Sequence, residues 1–307
     1  MKLAILSRNR QLHSIQRLLK EARALKVDCT VFDPLDCQLV VSREGSRILI
    51  HDRPAPPMDV VIPRIGTSIT DYGLAVVKHF ELLGINVING SEGIAQSRDK
   101  LRCLQVLAEK GFDIPITVLM RGSRAIKVAL RHVHGTPAII KLLQGTQGVG
   151  VMLVESPSSA ESVIDTMSGL QQDVILQQYI GESRGSDIRA FVIGNQVVAA
   201  MRRQARLGEF RSNIHRGGEG VPITLKEPIK RLAINAVKAV GLAVAGVDIL
   251  ESLTGPKVIE VNSSPGFEGI EKATGLNIAK LMVRHALETV RTQKKRGRGG
   301  RSRAKRK

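Results

Sequence analysis

Residues 244–265 read VAGVDILESLTGPKVIEVNSSP, and the reading of this stretch decides the fold. Apolar runs at 244–250 and 257–261 flank the turn signal Thr254-Gly255-Pro256, which predicts a β-hairpin. A turn centred on Thr254 sets Asp248 opposite Glu260. Opposed positions hold their Cβ atoms about 4.5–5.5 Å apart, so two carboxylates there repel unless a positive charge lies between them. Strand alternation puts Glu260 and Asn262 on one face and Ile259 and Val261 on the other. Asp248, Glu260 and Asn262 then converge as hard oxygen ligands that suit Mg2+ or Mn2+, especially where phosphate oxygens complete the shell. Taken alone, the same residues also fit a solvent-facing acidic pair on an ordinary hairpin, so the neighbouring segments have to decide.

Upstream, strands at 187–193 and 196–203 meet at a Gly194-Asn195 turn, and a helix at 225–240 leads into the hairpin. Between them, Arg202-Arg203 and the segment FRSNIHRGG (210–218) gather arginines and a histidine around Asn213 and glycines. Arginine forks match phosphate and carboxylate oxygens, so this segment fits a clamp for a transferring phosphoryl group; a solvated basic loop is the plainer alternative. Further back, KLLQGTQGVG (141–150) joins strands at 138–143 and 149–154. Its glycines leave backbone N–H groups bare enough to approach phosphates, yet no Gly-Lys-Ser/Thr opens a helix, which excludes a Walker loop. Lys141 lies inside the apolar run AIIKLL, where a lone charge is costly unless an anion meets it; a snorkelling lysine is the alternative.

The first 90 residues alternate strands (3–7, 28–32, 59–63, 86–88) with helices (11–26, 70–83), which predicts a small α/β lobe with a mostly parallel sheet. No G-x-G-x-x-G follows the first strand, which argues against a dinucleotide site there. Arg8 and Arg64 sit just after strands, at the edge where α/β sheets bind ligands; either fits a substrate carboxylate or a plain surface arginine. A helix over 91–110 then leads to a second unit, with a strand at 116–120, a helical stretch at 124–132, a helix at 158–170 and a strand at 174–179. A closing helix is expected over 276–289.

Composition narrows the class. Aromatic residues are 3% of 307 and there is no Trp, which argues against base-stacking platforms. No early apolar run is long enough for a signal peptide and none approaches the roughly 20 residues of a membrane span, so a cytoplasmic protein is expected. Cys29, Cys37 and Cys103 have neither even number nor C-x-x-C spacing. Of the net charge of +18, ten Lys and Arg without an acid fall in 291–307, leaving +8 for the rest. That Gly-Arg segment is expected to be a disordered basic tail, suited to contact with RNA, the ribosome or an acidic protein, or merely solubilising.

A buried Lys, a glycine loop, Arg211 with Asn213 and an acid–acid–Asn set follow one another in the chain, the kit that phosphoryl transfer needs. The stretches PRIGTSIT (63–70), RDKLR (98–102), KLLQGTQGVGV (141–151), SDIRAFV (186–192), FRSNIHRGG (210–218), VAGVDIL (244–250) and EVNSSPGFEGIE (260–271) resemble the ATP-grasp ligases over residues 1–290. Within that family the resemblance is to the bacterial enzymes that add glutamate to the carboxyl terminus of the sixth small-subunit ribosomal protein. It implies an α/β (α+β) ATP-grasp fold: an N-terminal pre-ATP-grasp α/β domain at 1–96, a central ATP-grasp subdomain at 97–180 and a C-terminal one at 181–290, the last two enclosing ATP. It also implies that Lys100 and Lys141 contact phosphates, that Gln178 and Tyr179 form the adenine hinge, and that Asp187 holds the ribose. Arg211, Ser212 and Asn213 would face the reacting phosphates, with Arg211 and Lys141 catalytic, and Asp248, Glu260 and Asn262 would bind two divalent ions. Gln178 departs from the family pattern, which has an acid there, and the Arg-rich tail leaves the target open. The implied partners are L-glutamate, the acidic carboxyl end of a ribosomal protein and further copies of the chain. Two other readings stay open: a ligase for a small acid or free peptide, and a non-enzymatic RNA or ribosome binder.

Overall fold

The computed structural model describes residues 1–143, 150–206, 209 and 219–304, with side chains through residue 294. The N-terminal lobe runs β1 (Lys2–Leu6), α1 (His13–Ala24), β2 (Asp28–Phe32), β3 (Cys37–Ser42), β4 (Gly45–Ile50), β5 (Arg53–Pro54), β6 (Val60–Pro63), α2 (Thr70–Leu82) and β7 (Asn86–Val87). Its main sheet has the order β2-β1-β6-β7, with every pairing parallel as the strand–helix alternation predicts. Helix α1 buries Ile15, Leu18, Leu19 and Ala22, one apolar stripe at helical spacing, against that sheet. The antiparallel sheet β3-β4-β5 is an insertion that the sequence reading missed. Its strands carry charges and exposed positions, which weakens their period-2 signal.

The helix expected at 91–110 is two helices, α3 (Ser91–Arg98) and α4 (Lys100–Glu109). Asp99 breaks the run: its backbone is extended (φ −86°, ψ 110°) and its carboxylate accepts from Arg102 N at 3.0 Å, capping α4. The cap makes Lys100 the first residue of α4, aimed by a helix whose Cys103 and Leu107 pack beneath the hairpin.

The middle unit comprises β8 (Thr117–Met120), α5 (Ile126–His132), β9 (Ala138–Leu142), β10 (Val151–Val154), α6 (Pro157–Gly169) and β11 (Val174–Gln178). Its sheet, β10-β9-β11-β8, is antiparallel throughout, and one face packs on α5 and α6 through Ile126, Leu130, Ile140, Ala160 and Ile164. The last unit adds β12 (Ser186–Ile193), β13 (Gln196–Gln204), β14 (Glu219–Pro222), α7 (Glu227–Ala239), β15 (Val244–Ser252), β16 (Gly255–Asn262), α8 (Glu268–Thr274) and α9 (Ile278–Ala304). Its sheet has the order β14-β13-β12-β15-β16. The back of this sheet (Ile188, Ala190, Val192, Val247, Ile249, Val261) packs on α7, while Phe191, Ile193, Met201 and Val244 on the front join the N-terminal lobe and α9 in one core.

Two sequence expectations need correction here. Helix α9 spans Ile278–Ala304, longer than the closing helix expected at 276–289. Its first turns are buried through Val290, so the helix is nucleated by packing. The β15–β16 turn is also tighter than a turn centred on Thr254, because Ser252 pairs with Gly255. A β-bulge between Asp248 and Ile249 then inserts one residue on the facing strand and restores the expected pairing of Asp248 with Glu260.

Candidate active site

The front of the five-stranded sheet carries a row of charges. Arg189 opposes Asp248 on β15, Asp248 opposes Glu260 on β16, and Asp187 opposes Arg203 on β13. Period-2 alternation puts Asp187, Arg189 and Phe191 on one face, so the charges occupy the part of that face where packing against the N-terminal lobe has ended. Asp248 is 3% exposed and Asp187 6%, and both are held by arginine forks. Arg189 donates from Nε to Asp248 Oδ1 (2.5 Å) and from Nη2 to Oδ2 (2.6 Å). Arg203 donates to both oxygens of Asp187 (2.6 and 2.5 Å) and lies 2.9 Å from Asp248 Oδ2. The positive charge required beside Asp248 is thus partly supplied by the chain itself. Burial alone would raise the Asp248 carboxyl, but Arg189 and Arg203 outweigh it and hold its pKa below the usual range. Burial likewise works against charged Arg203, and Asp248 with Asp187 reverses that, locking its proton on.

Cations from two other elements look onto this row. Lys141, next to the last residue of β9, donates to Gln177 Oε1 at 2.7 Å, and Gln177 Nε2 donates to Thr117 Oγ1 at 2.8 Å. Desolvation lowers the Lys141 pKa to about 8; Glu260 and Asp248 oppose that shift and Lys100 adds to it. Desolvation also lowers Lys100, against Glu260 and Asp99, and its Nζ donates to Leu143 O at 3.4 Å. Two ammonium groups, both costly to keep charged, therefore face one carboxylate. Glu260 makes no ion pair among the described residues.

The donor set fits a divalent ion. Glu260 and Asn262 alternate on β16 and Asp248 stands directly across, all hard oxygen donors. Asn262 Oδ1 already accepts from Ser264 N at 3.0 Å, which fixes the amide, and Asp248 shares its oxygens with two arginines. Glu260 is the carboxylate with capacity to spare.

Of the other expected positions, Gln178 donates its backbone N–H to Ile116 O (2.8 Å) and accepts at Oε1 from Ile116 N (3.3 Å), closing the end of β11. Tyr179 follows, half-buried, where the chain crosses between the two sheets. Arg211, Ser212 and Asn213, and the glycine loop at 144–149, lie outside the described residues. Gln177, 2% exposed, and Arg189 were missed by the sequence reading. The signal for both was present: VILQQ and SDIRAFV each put a polar side chain into a run that burial should keep apolar.

This architecture is that of the ATP-grasp ligases. The structure matches that of the ATP-grasp ligase PsnB in complex with a minimal precursor (TM-score 0.74, 21% identity, 94% of this chain and 98% of that one). It also matches the macrocyclase MdnC bound with precursor peptide MdnA from Microcystis aeruginosa (TM-score 0.72, 15% identity, 94% and 100% covered). Residues 1–94 match the RimK PreATP-grasp domain and residues 97–286 the RimK-like ATP-grasp domain, so the chain belongs to the RimK family. A probable alpha-L-glutamate ligase of Marinobacter nauticus is 48% identical over 97% of this chain and 99% of its own, and one of Vibrio vulnificus is 46% identical over 97% and 99%. The chain is an ATP-dependent ligase. No helix among the described residues is long and apolar enough to cross a membrane.

Proposed function

We propose that this ligase joins L-glutamate to the carboxyl end of a small-subunit ribosomal protein in the cytoplasm, as a homo-oligomer. The observation that carries the glutamate reading is 48% identity, over 97% of the chain, to a probable alpha-L-glutamate ligase. ATP would lie between the four- and five-stranded sheets, that is, between the units at 97–180 and 181–290. Lys141 and Lys100 would meet its phosphates, which is why two desolvated ammonium groups sit above Glu260. Gln178 and Tyr179 would flank the adenine, Asp187 the ribose, and Arg211, Ser212 and Asn213 the transferring group. Asp248, Glu260 and Asn262 would hold two Mg2+ or Mn2+ ions, whose charge neutralises phosphate oxygens.

Transfer of the γ-phosphoryl group to the acceptor carboxylate gives an acylphosphate. The α-amine of glutamate attacks its carbonyl, phosphate leaves with the bonding pair, and the amine proton passes to solvent. Splitting amide formation in this way needs no side-chain nucleophile, only fixed position and a dry cleft. The basic segment from 291 supplies charge for the ribosome or an acidic target. The test is incubation with ATP and labelled glutamate, with and without the ribosomal protein, followed by mass spectrometry of the acceptor. Glutamate-sized additions at its carboxyl end are expected. Label appearing only in free oligoglutamate would overturn the protein acceptor.

A further inference from the structure

At the carboxyl edge of the N-terminal parallel sheet, three arginines stand together without acids. Arg64 directly follows β6, its backbone N–H bonded to Leu6 O at 2.8 Å, and its guanidinium carbon lies 5.8 Å from the ring centroid of Phe267. Arg98 is spent on the loop after Arg64: it donates to Ile65 O, to Gly66 O at 2.9 Å and to Thr70 Oγ1 at 2.7 Å. Arg8 reaches Ser68 Oγ at 3.3 Å. Among the described residues no carboxylate pairs with Arg64, Arg98 or Arg8, whereas Arg17, Arg189, Arg202 and Arg203 nearby in the fold all have one. Desolvation, with Arg98 adding to it, lowers the Arg64 pKa to about 10. A guanidinium that is desolvated, next to a second guanidinium and given no acid is arranged for an anion from outside.

Its place in the molecule narrows which anion. Phe267 is fully buried, stacked edge-on against Phe191, and belongs to the loop that leaves β16 directly after Asn262. In the same loop Pro265 sits so close to Gly246 that a Cβ there would lie 3.1 Å from it, and 3.2 Å from Arg189 Cδ. Through Phe267, Arg64 therefore adjoins the loop that packs on the Arg189–Asp248 end of the charged row. The reaction brings in carboxylates that are not activated and must still be neutralised and aimed: those of free glutamate and those on the acceptor chain.

We propose that Arg64, set by Arg98 and the Phe267 ring, is the subsite for such a spectator carboxylate of the ligated substrates. The identity of the carboxylate rests on the ligase reading above; the subsite itself does not. Arg64 is then a specificity-determining residue that touches substrate, distinct from the phosphate cations.

Melting of the full chain with Mg2+ and a non-hydrolysable ATP analogue tests this, using L-glutamate, glutarate and a peptide ending in Glu as probes, for wild type, Arg64→Gln and Arg64→Lys. At least one carboxylate probe should raise the wild-type melting temperature and leave Arg64→Gln unmoved, while all three proteins respond alike to the nucleotide analogue. In turnover, Arg64→Gln should raise KM for one substrate by about 10- to 100-fold, the worth of a hydrogen bond to a charged group, with KM for ATP within about twofold. It should also erase by a similar factor the wild-type preference for that same substrate over its amides, a change that damaged packing does not produce. A rise confined to KM for glutamate assigns the free amino acid, and one confined to KM for the peptide assigns the acceptor. An Arg64→Gln protein that keeps the wild-type response to carboxylates, or loses the nucleotide response in parallel, overturns the subsite, as does a wild type that no carboxylate stabilises. ATP turnover that ignores glutamate would overturn the glutamate reading instead, and the melting responses would still decide the subsite.

Discussion

Along one face of β12, Phe191 and Ile193 are sealed against the N-terminal lobe, and Arg189 and Asp187, one and two pleats earlier, carry charge. The same strand, face and sheet thus serve as core at one end and as site at the other. The switch occurs where a neighbour stops covering the sheet. Apolar surface is stabilised by burial there at about 25 cal/mol per Å². Charge is tolerated in the other half because Asp187 and Asp248 are each forked by arginine.

Removing one partner from the charged half should do the most. Asp248→Ala strands Arg189 in a buried setting, leaves Arg203 with Asp187 alone, and is expected to lose about 3–5 kcal/mol, the usual cost of breaking a buried pair. It should also abolish glutamate-dependent ADP release. Near-normal turnover in this variant would remove both the ion-pair argument and the metal assignment. The linkage has a definite sign: Asp248 titrates below its unfolded value, so its contribution is present above about pH 4 and lost as pH falls through the lower folded value. Acid unfolding should therefore begin at higher pH in Asp248→Asn than in wild type.

The covered half should behave differently. Phe191→Ala opens a cavity where no side chain can relax far, at a cost of about 3–5 kcal/mol in denaturant unfolding. Turnover per folded molecule at saturating substrate should survive. If turnover falls as steeply as stability, the two halves are not separable. Between them sits Gly246, where an added Cβ meets Pro265 and Arg189 at 3.1 and 3.2 Å. Gly246→Ala should cost less, about 1–3 kcal/mol by overpacking, yet move the Arg189 fork and lower kcat more than the Phe191 variant does.

Much of this is legible in the sequence, and unevenly so. The strand–helix alternation of the first lobe and the pairing of Asp248 with Glu260 could be read from local pattern, because turn residues and period-2 runs are local signals. The pairing came out as expected through a tighter turn and a bulge together, and a bulge has no reliable mark in sequence. The partners of the charged row were not legible: Arg203 answers Asp187 across 16 positions and Arg189 answers Asp248 across 59. Only the sheet order β13-β12-β15 brings them together. The break at Asp99 was available in principle, since an aspartate whose carboxylate reaches the N–H three residues on is a helix start.

The smallest effect expected is a proton. Folded Lys141 titrates near pH 8 against about 10.4 in an unfolded chain, so between those values the unfolded state binds more protons and stability rises with pH. The charged form is what the fold tolerates badly below pH 8, and it is also the form a phosphate needs. Nucleotide binding should therefore pull the pKa back up and take up a fraction of a proton near pH 8 to 9. Calorimetry in buffers of different ionisation enthalpy reads that uptake directly. Lys141→Met should abolish it and weaken nucleotide binding, while leaving thermal stability at pH 7 unchanged or higher, because a desolvated ammonium has been exchanged for an apolar side chain of similar length. A variant that is less stable at pH 7 and still takes up the proton would mean that Lys141 serves the four-stranded sheet through Gln177 and Thr117, and that the phosphate charge is met by Lys100.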